Sequence, residues 1–456
     1  NRSNRHGGAF YSFSDSYTGN LNVASVLIDS CMIMNNEAIG DGGVIYSLSD
    51  AWAAPGYSKV GIKNTVLKFN KANQNGGAIF NNDTRVSQTL TESSFFYKNQ
   101  AINNGGAINT GDFVSYNSTF EDNESLFNGG AVFAVDMATI KNSIFNKNKG
   151  TNGGAFASNQ YYDLVKIDSS YFTNNYASNR GGACQMPSNG KINHSIFQHN
   201  EAIKKGGAIY VYKLKELEIF SSTLNNNKAQ EGGAISSDST SGYVYSTIKK
   251  LIVNRSTITE NEASVQGGGI HIADKYEKLK ILNSTISHNK AIVKGNGVFC
   301  KSDSLEVYSS IISLNKDSNN IENLSNSTLS YGYNLIGDDA FLNRVLSDSL
   351  SADSSVILLG VLTNNGGFTK TRMPLIGSYA VDNGDITDLS DGQNRPLKAT
   401  RDIGAAEGNC QLFKSDTIIT CSNIAWRNKV YSISGDYSDF SFKPIGCDSI
   451  YKLHLI

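Results

Sequence analysis

Proline is scarce in this 456-residue chain, at 5, and tryptophan scarcer still, at 2. Six cysteines are too few to staple a chain of this length. None stands in a CxxC pair that would suggest a zinc or redox site. No apolar run approaches the roughly 18 residues needed for a membrane-spanning helix, and no signal-like apolar stretch opens the chain. Charge of one sign is also missing. Lys plus Arg total 40 against 41 Asp plus Glu, so the formal charge of -1 offers no field to attract nucleic acid or an anionic membrane. There is no GxSxG elbow, no P-loop and no GxGxxG opening a helix. The six histidines are scattered.

What is present is glycine, at 43, together with abundant Asn and Ser, a composition of many short strands and turns. The glycines recur as Gly-Gly followed by a small and then an apolar residue. The second members are Gly8, Gly43, Gly77, Gly106, Gly130, Gly154, Gly182, Gly207, Gly233 and Gly268, and Gly295-Asn296-Gly297 forms a degenerate eleventh copy. Seven residues before most of them stands an asparagine, giving the series Asn36, Asn70, Asn99, Asn123, Asn148, Asn175, Asn200, Asn227, Asn261, Asn289 and Asn315. A Ser-x-apolar element precedes each Asn from Asn99 onward, as in Ser118-Thr119-Phe120. Apolar residues at period 2 lie further upstream, as in Leu217 and Ile219.

Each unit therefore reads as three short strands, an Asn corner, a glycine corner and a variable loop. No 3.6-residue period competes with this pattern. Such a unit buries nothing alone and gains a core only by stacking. The expected fold is an all-β, right-handed parallel β-helix of about eleven three-sided coils. The glycine pairs would supply positive φ or close backbone approach, Asn would tolerate the left-handed region, and stacked asparagines would bond to one another.

The pairing of Phe120-Glu121-Asp122-Asn123 with Gly129-Gly130-Ala131-Val132 resembles the repeats of polymorphic outer-membrane proteins, which are surface-exposed adhesins and autotransporter passengers. Beyond the repeats, Gly332-Tyr333-Asn334-Leu335-Ile336-Gly337-Asp338, Leu362 to Gly367, Val381 to Asp385 and Arg401 to Ala405 resemble the choice-of-anchor Q type of bacterial surface β-helix. The stretch from Cys421 to Trp426, with Gly446-Cys447-Asp448-Ser449, resembles a small β-sandwich module of secreted Bacteroidetes-type proteins that leave by the type IX route. Together they imply three regions: regular coils over 1–316, irregular closing coils capping the open end over 317–408, and a sandwich-like module, possibly incomplete, over 409–456. Cys421 and Cys447 flank that small module and are expected to pair, because exported proteins meet oxidising surroundings. Cys31, Cys184 and Cys300 fall on inward positions and are expected to be buried thiols. Because the chain starts at Asn1 inside a repeat, it reads as an excised piece of a larger surface protein.

Two candidate sites stand out. Tyr11, Tyr46, Phe80, Phe133, Tyr210 and Phe299 each lie one residue past an inward apolar residue, forming an outward aromatic row. Such a row could bind glycans or proteins, or its rings could stack on one another beneath the loops. Asp382, Asp385, Asp388 and Asp391 could wrap Ca2+ or simply form a solvated loop. Asp15, Asp50, Asp163 and Asp238 lie in loops that nothing in the sequence brings together. The functional expectation is a non-enzymatic, extracellular adhesin or scaffold needing no cofactor. The alternatives are a polysaccharide lyase or glycosidase on the same fold, or a purely structural spacer.

Overall fold

The computed structural model describes residues 1–456 except 17–22, 52–56, 82–86, 159–163, 187–188, 213–214, 239–248, 275–276, 303, 317–318, 325–327, 338–344, 350–352, 386–400, 408–410, 420–422, 428 and 442–447. Among the described residues, every coil reverses direction at three residues of left-handed backbone. One precedes the Ser landmark, with φ from 44° to 53°. One precedes the Asn landmark, with φ from 50° to 58°. The third is the first glycine of the pair, with φ from 61° to 68°.

The chain between these reversals is extended, and each strand pairs in parallel with its counterpart one coil on. Four sheets result, all running in strict coil order. The leading face holds 12 strands of the period-2 pattern, the Ser face 12 and the Gly face 12. The fourth sheet, of 11 strands, was not foreseen; a typical member spans only two residues, such as Gln100–Ala101, between the Asn and glycine corners. The molecule is thus an all-β parallel β-solenoid.

The Asn corner differs from expectation in one detail. The left-handed residue is the neighbour before the asparagine, and it is as unsuited as Phe69, Lys98 or Glu260. The reason is geometric: the Asn side chain must point inward to bond along the axis, so the reversal falls one residue earlier, where the side chain is free to point out. A non-glycine residue there costs about 1–2 kcal/mol, which the ladder offsets. Asn148 Nδ2 donates to Asn175 Oδ1 (3.0 Å) and to the Phe120 carbonyl (2.9 Å), while its Oδ1 accepts from the Asn123 amide N–H (3.0 Å) and Nδ2 (3.1 Å). The same side-chain link joins all eleven asparagines, and the last, Asn315, donates to Asn320. A serine ladder runs alongside: the Ser143 amide donates to Ser170 Oγ, Ser170 to Ser195, and Ser195 to Ser222.

The second glycine of each pair serves close approach. A Cβ on Gly130 would lie 2.0 Å from the Gly154 carbonyl oxygen. Inside the bore, Phe96, Phe120, Phe145, Phe172 and Phe197 are fully buried and stack face to face, with centroids 4.6 to 4.8 Å apart. Cys184 and Cys300 are buried in the same core. Cys31 is exposed, contrary to expectation, because it sits in the first coil, whose strands are the edge of every sheet.

Three strands carry the coil past residue 316: Ile321–Asn323, Thr328–Ser330 and Leu335–Ile336 extend the Gly, leading and Ser faces. Ser349 then bridges to Leu335 at the end of the Ser face. Residues 357–385 and 401–405 do not continue that cap. They lie as a strap along the outside of the Ser face, reaching back over earlier coils. Ile357, Ala380 and Ile403 pack on Ile311 and Leu335. Arg372 bonds Thr259 Oγ1 (2.9 Å) and pairs with Glu260, the Ala405 amide donates to Thr285 Oγ1 (3.1 Å), and Thr223 donates to the Lys370 carbonyl. The outward residues of these coils are Thr and Ile, which offer the strap hydroxyls and apolar surface instead of charge.

The C-terminal strands form a separate three-stranded sheet. Asp448–Leu455 is central, parallel to Gln411–Ile418 and antiparallel to Gly435–Ser441, and there is also a two-stranded ribbon, Ile424–Trp426 with Lys429–Tyr431. Trp426, Leu453 and Leu455 make its small core. Cys421 and Cys447 lie outside the described residues.

Candidate functional site

The outer surface of the Gly face carries the aromatic row in one column. Pairing places Tyr11, Tyr46, Phe80, Asn109, Phe133, Ala157, Gln185, Tyr210, Ser236, His271, Phe299 and Glu322 one above another. Tyr11 is 61% exposed and Tyr46 and Phe80 are partly so, whereas Phe133, Tyr210 and Phe299 are 6%, 1% and 2% exposed. A continuous bare row is therefore absent, and only its first three members meet solvent.

Those three stack. Tyr11 and Tyr46 are nearly parallel with centroids 5.2 Å apart, Tyr46 and Phe80 likewise at 5.3 Å, and the His6 ring lies 4.5 Å from that of Tyr46. Stacking along the axis turns the ring faces toward each other and the edges outward. A sugar needs a free ring face, which Tyr46, stacked on both sides, does not offer, whereas the outward ring edges suit apolar side chains of a protein.

Beside this column runs a second amide ladder that the sequence reading missed. Asn75, Asn104, Asn128 and Asn152 each precede a glycine pair and are joined by side-chain bonds of 2.9 to 3.2 Å. The recurrent Asn-Gly-Gly triplet was its signal in the sequence. From the next coil on, the same position holds Arg180, Lys205, Glu231, Gln266 and Lys294, which follow one another by backbone pairing. Repetition thus gives way to a charged network. Arg180 Nη1 donates to the Tyr210 hydroxyl (3.0 Å), and Lys205 Nζ bridges Asp238 (2.6 Å) and Glu231 (3.2 Å). His271 lies 3.1 Å from Ser236 Oγ and 3.0 Å from the Gln266 side-chain nitrogen. Its burial depresses the pKa to about 4, so the imidazole is neutral at pH 7. Asp238, which the sequence left in an isolated loop, belongs to this network. Asp163 lies outside the described residues.

Inside the bore, Glu277 occupies an inward position of the leading face and is fully buried. Burial raises its pKa to about 8, with the Ser237 hydroxyl and Lys249 pulling the other way and Asp274 and Asp238 adding to the rise. The folded chain therefore holds a proton on Glu277 that the unfolded chain, at the ordinary value of 4.5, releases. Stability from this group is complete below pH 4.5 and is lost as pH rises to about 8. Wild-type protein should lose on the order of a few kcal/mol across that window, and Glu277→Gln should lose less. Urea midpoints at pH 5, 7 and 9 measure this, and superimposable profiles would refute it.

Of the proposed calcium ligands, Asp388 and Asp391 lie outside the described residues. The Asp382 amide donates to Asp402 Oδ1 (2.8 Å), and the Asp402 amide in turn to Glu407. Among the described residues, no group of three or more His, Cys, Asp or Glu is placed to hold a metal, and no helix is long and apolar enough to cross a membrane.

The fold and its ladders define a class, the parallel β-solenoid with amide-laddered corners. Within it, residues 194–212 match the model of the Chlamydia polymorphic membrane protein repeat. That segment runs from the left-handed His194 through Ser195, Phe197, Asn200 and Gly206-Gly207 to the end of the Gly-face strand at Tyr212. No curated protein and no solved structure matches the chain.

Proposed function

We propose that this chain is part of a surface-exposed, autotransporter-like adhesive rod, held at the outer membrane or cell surface, that binds partner proteins. The observation carrying this reading is the contrast within single columns. The inward column of the Ser face stays apolar coil after coil, from Leu67 through Phe120 and Leu224 to Ile336, while the outward column of the Gly face varies from Tyr11 to Glu322. A uniform interior gives stiffness and reach, and a varied exterior gives recognition. Similarity to a membrane-protein repeat supports the surface location. The edge-exposed stack of Tyr11, Tyr46 and Phe80 supports a protein ligand over a glycan.

The test is binding of the labelled chain to immobilised extracellular-matrix proteins and, in parallel, to a glycan array. Saturable protein binding is expected, weakened at least tenfold when Tyr11, Tyr46 and Phe80 are all replaced by alanine. Binding to no protein, or binding indifferent to the triple variant, would overturn the proposal. A glycan signal lost in that variant would reassign the ligand to sugars.

A further inference from the structure

The outer surface of the Ser face is half covered. Its outward column reads Met32, Val66, Phe95, Thr119, Ile144, Tyr171, Ile196, Thr223, Thr257, Thr285, Ile311 and Leu335. From Ile196 onward every member is buried, and the strap of residues 357–385 and 401–405 lies along this part of the face. Phe368 marks the strap's near edge, with its ring 4.3 Å from that of His194. Ahead of that edge the same column continues uncovered for six coils, with Met32 63%, Ile144 42% and Tyr171 45% exposed. Phe95 stacks on Tyr97, and the exposed Phe69 packs edge-on against Tyr97, which widens the apolar strip.

We infer that the uncovered half of the Ser face is a self-association surface, which a second copy of this chain covers with the same six coils in antiparallel order about a two-fold axis. Continuity with the strap interface is the first support, since the chain already buries the other half of this column. The second is self-complementarity when the coil order is reversed. Met32 then meets Tyr171, Val66 meets Ile144, and the large Phe95 meets the small Thr119. Along the rim, the left-handed residues Asn35, Phe69, Lys98, Asp122, Lys147 and Asn174 project outward. Reversal sets Lys98 against Asp122 and the Lys147 ammonium against the Phe69 ring, an ion pair and a cation over an aromatic face, each occurring twice. A parallel arrangement, with strands antiparallel, would instead set each outward column against the third-position column and lose these matches.

Sedimentation equilibrium of the purified chain from 1 to 100 µM tests the inference, with circular dichroism confirming that each variant is folded. Wild type should approach twice the chain mass, and Ile144→Asp should remain at the single-chain mass. Lys98→Asp or Asp122→Lys alone should weaken association at least tenfold, and the double exchange should restore it to within threefold. A single-chain mass at 100 µM, a dimer indifferent to Ile144→Asp, or an exchange that fails to restore association would each overturn it, the first by leaving the face to a different partner.

Discussion

Gly130→Ala is expected to cost at least about 3 kcal/mol, the upper end of what overpacking does to a protein. The added Cβ would lie 2.0 Å from the Gly154 carbonyl oxygen and 2.4 Å from the Lys149 carbonyl oxygen, both backbone atoms of the next coil. Relief requires two coils to separate, and that separation breaks the pairing of every sheet between them. Gly61→Ala is the control. Its Cβ would meet only Leu27 Cδ1, at 2.9 Å, the far end of a flexible side chain. That variant should stay within about 1 kcal/mol of wild type. Urea denaturation of the two proteins decides the matter, and equal midpoints would contradict the close-approach role of the second glycine.

Asn148→Ala is expected to cost about 3–5 kcal/mol. The side chain makes four bonds, and its loss leaves the Asn123 amide N–H and one Asn123 Nδ2 hydrogen without partners in a region that water does not reach, and takes one donor from the Phe120 carbonyl. Asn175 Oδ1 keeps only the bond from the backbone of residue 148. Because each coil contacts only its neighbours, the damage should appear first as local opening. Hydrogen exchange should quicken at Asn123, Asn148 and Asn175 while the amides of Asn261 and Asn289 keep their protection. Uniform quickening along the rod, or none, would contradict the nearest-neighbour picture.

The coil was legible because its parts are periodic and local. Asn and Gly-Gly landmarks recur at a nearly constant separation, and alternation assigns Leu217 and Ile219 to the interior without knowledge of the rest. What escaped the sequence depends on geometry with no periodic mark. That Phe69 or Glu260 would take left-handed backbone runs against residue preference, and only the inward demand of the neighbouring asparagine explains it. The strap escaped because its contacts, Arg372 with Glu260 and Lys370 with Thr223, join residues more than a hundred positions apart and outside any repeat. The network of Lys205, Glu231, Asp238 and His271 escaped because its members come from three coils and become neighbours only once the coils are in register. The aromatic row was legible as a column, but burial of Phe133, Tyr210 and Phe299, and the turning of ring faces toward one another, are properties of the stack.

The central claim is that sequence neighbours one coil apart are neighbours along an axis, however long the intervening loop. Pulsed electron paramagnetic resonance between nitroxides on keto side chains at Lys71 and Tyr176, and at Lys71 and Glu262, measures it directly. These positions sit in the corner sheet four and seven strands apart. At about 4.8 Å per strand, the account predicts backbone separations near 19 Å and 34 Å. Distances that follow the number of intervening residues instead of the number of coils would contradict it.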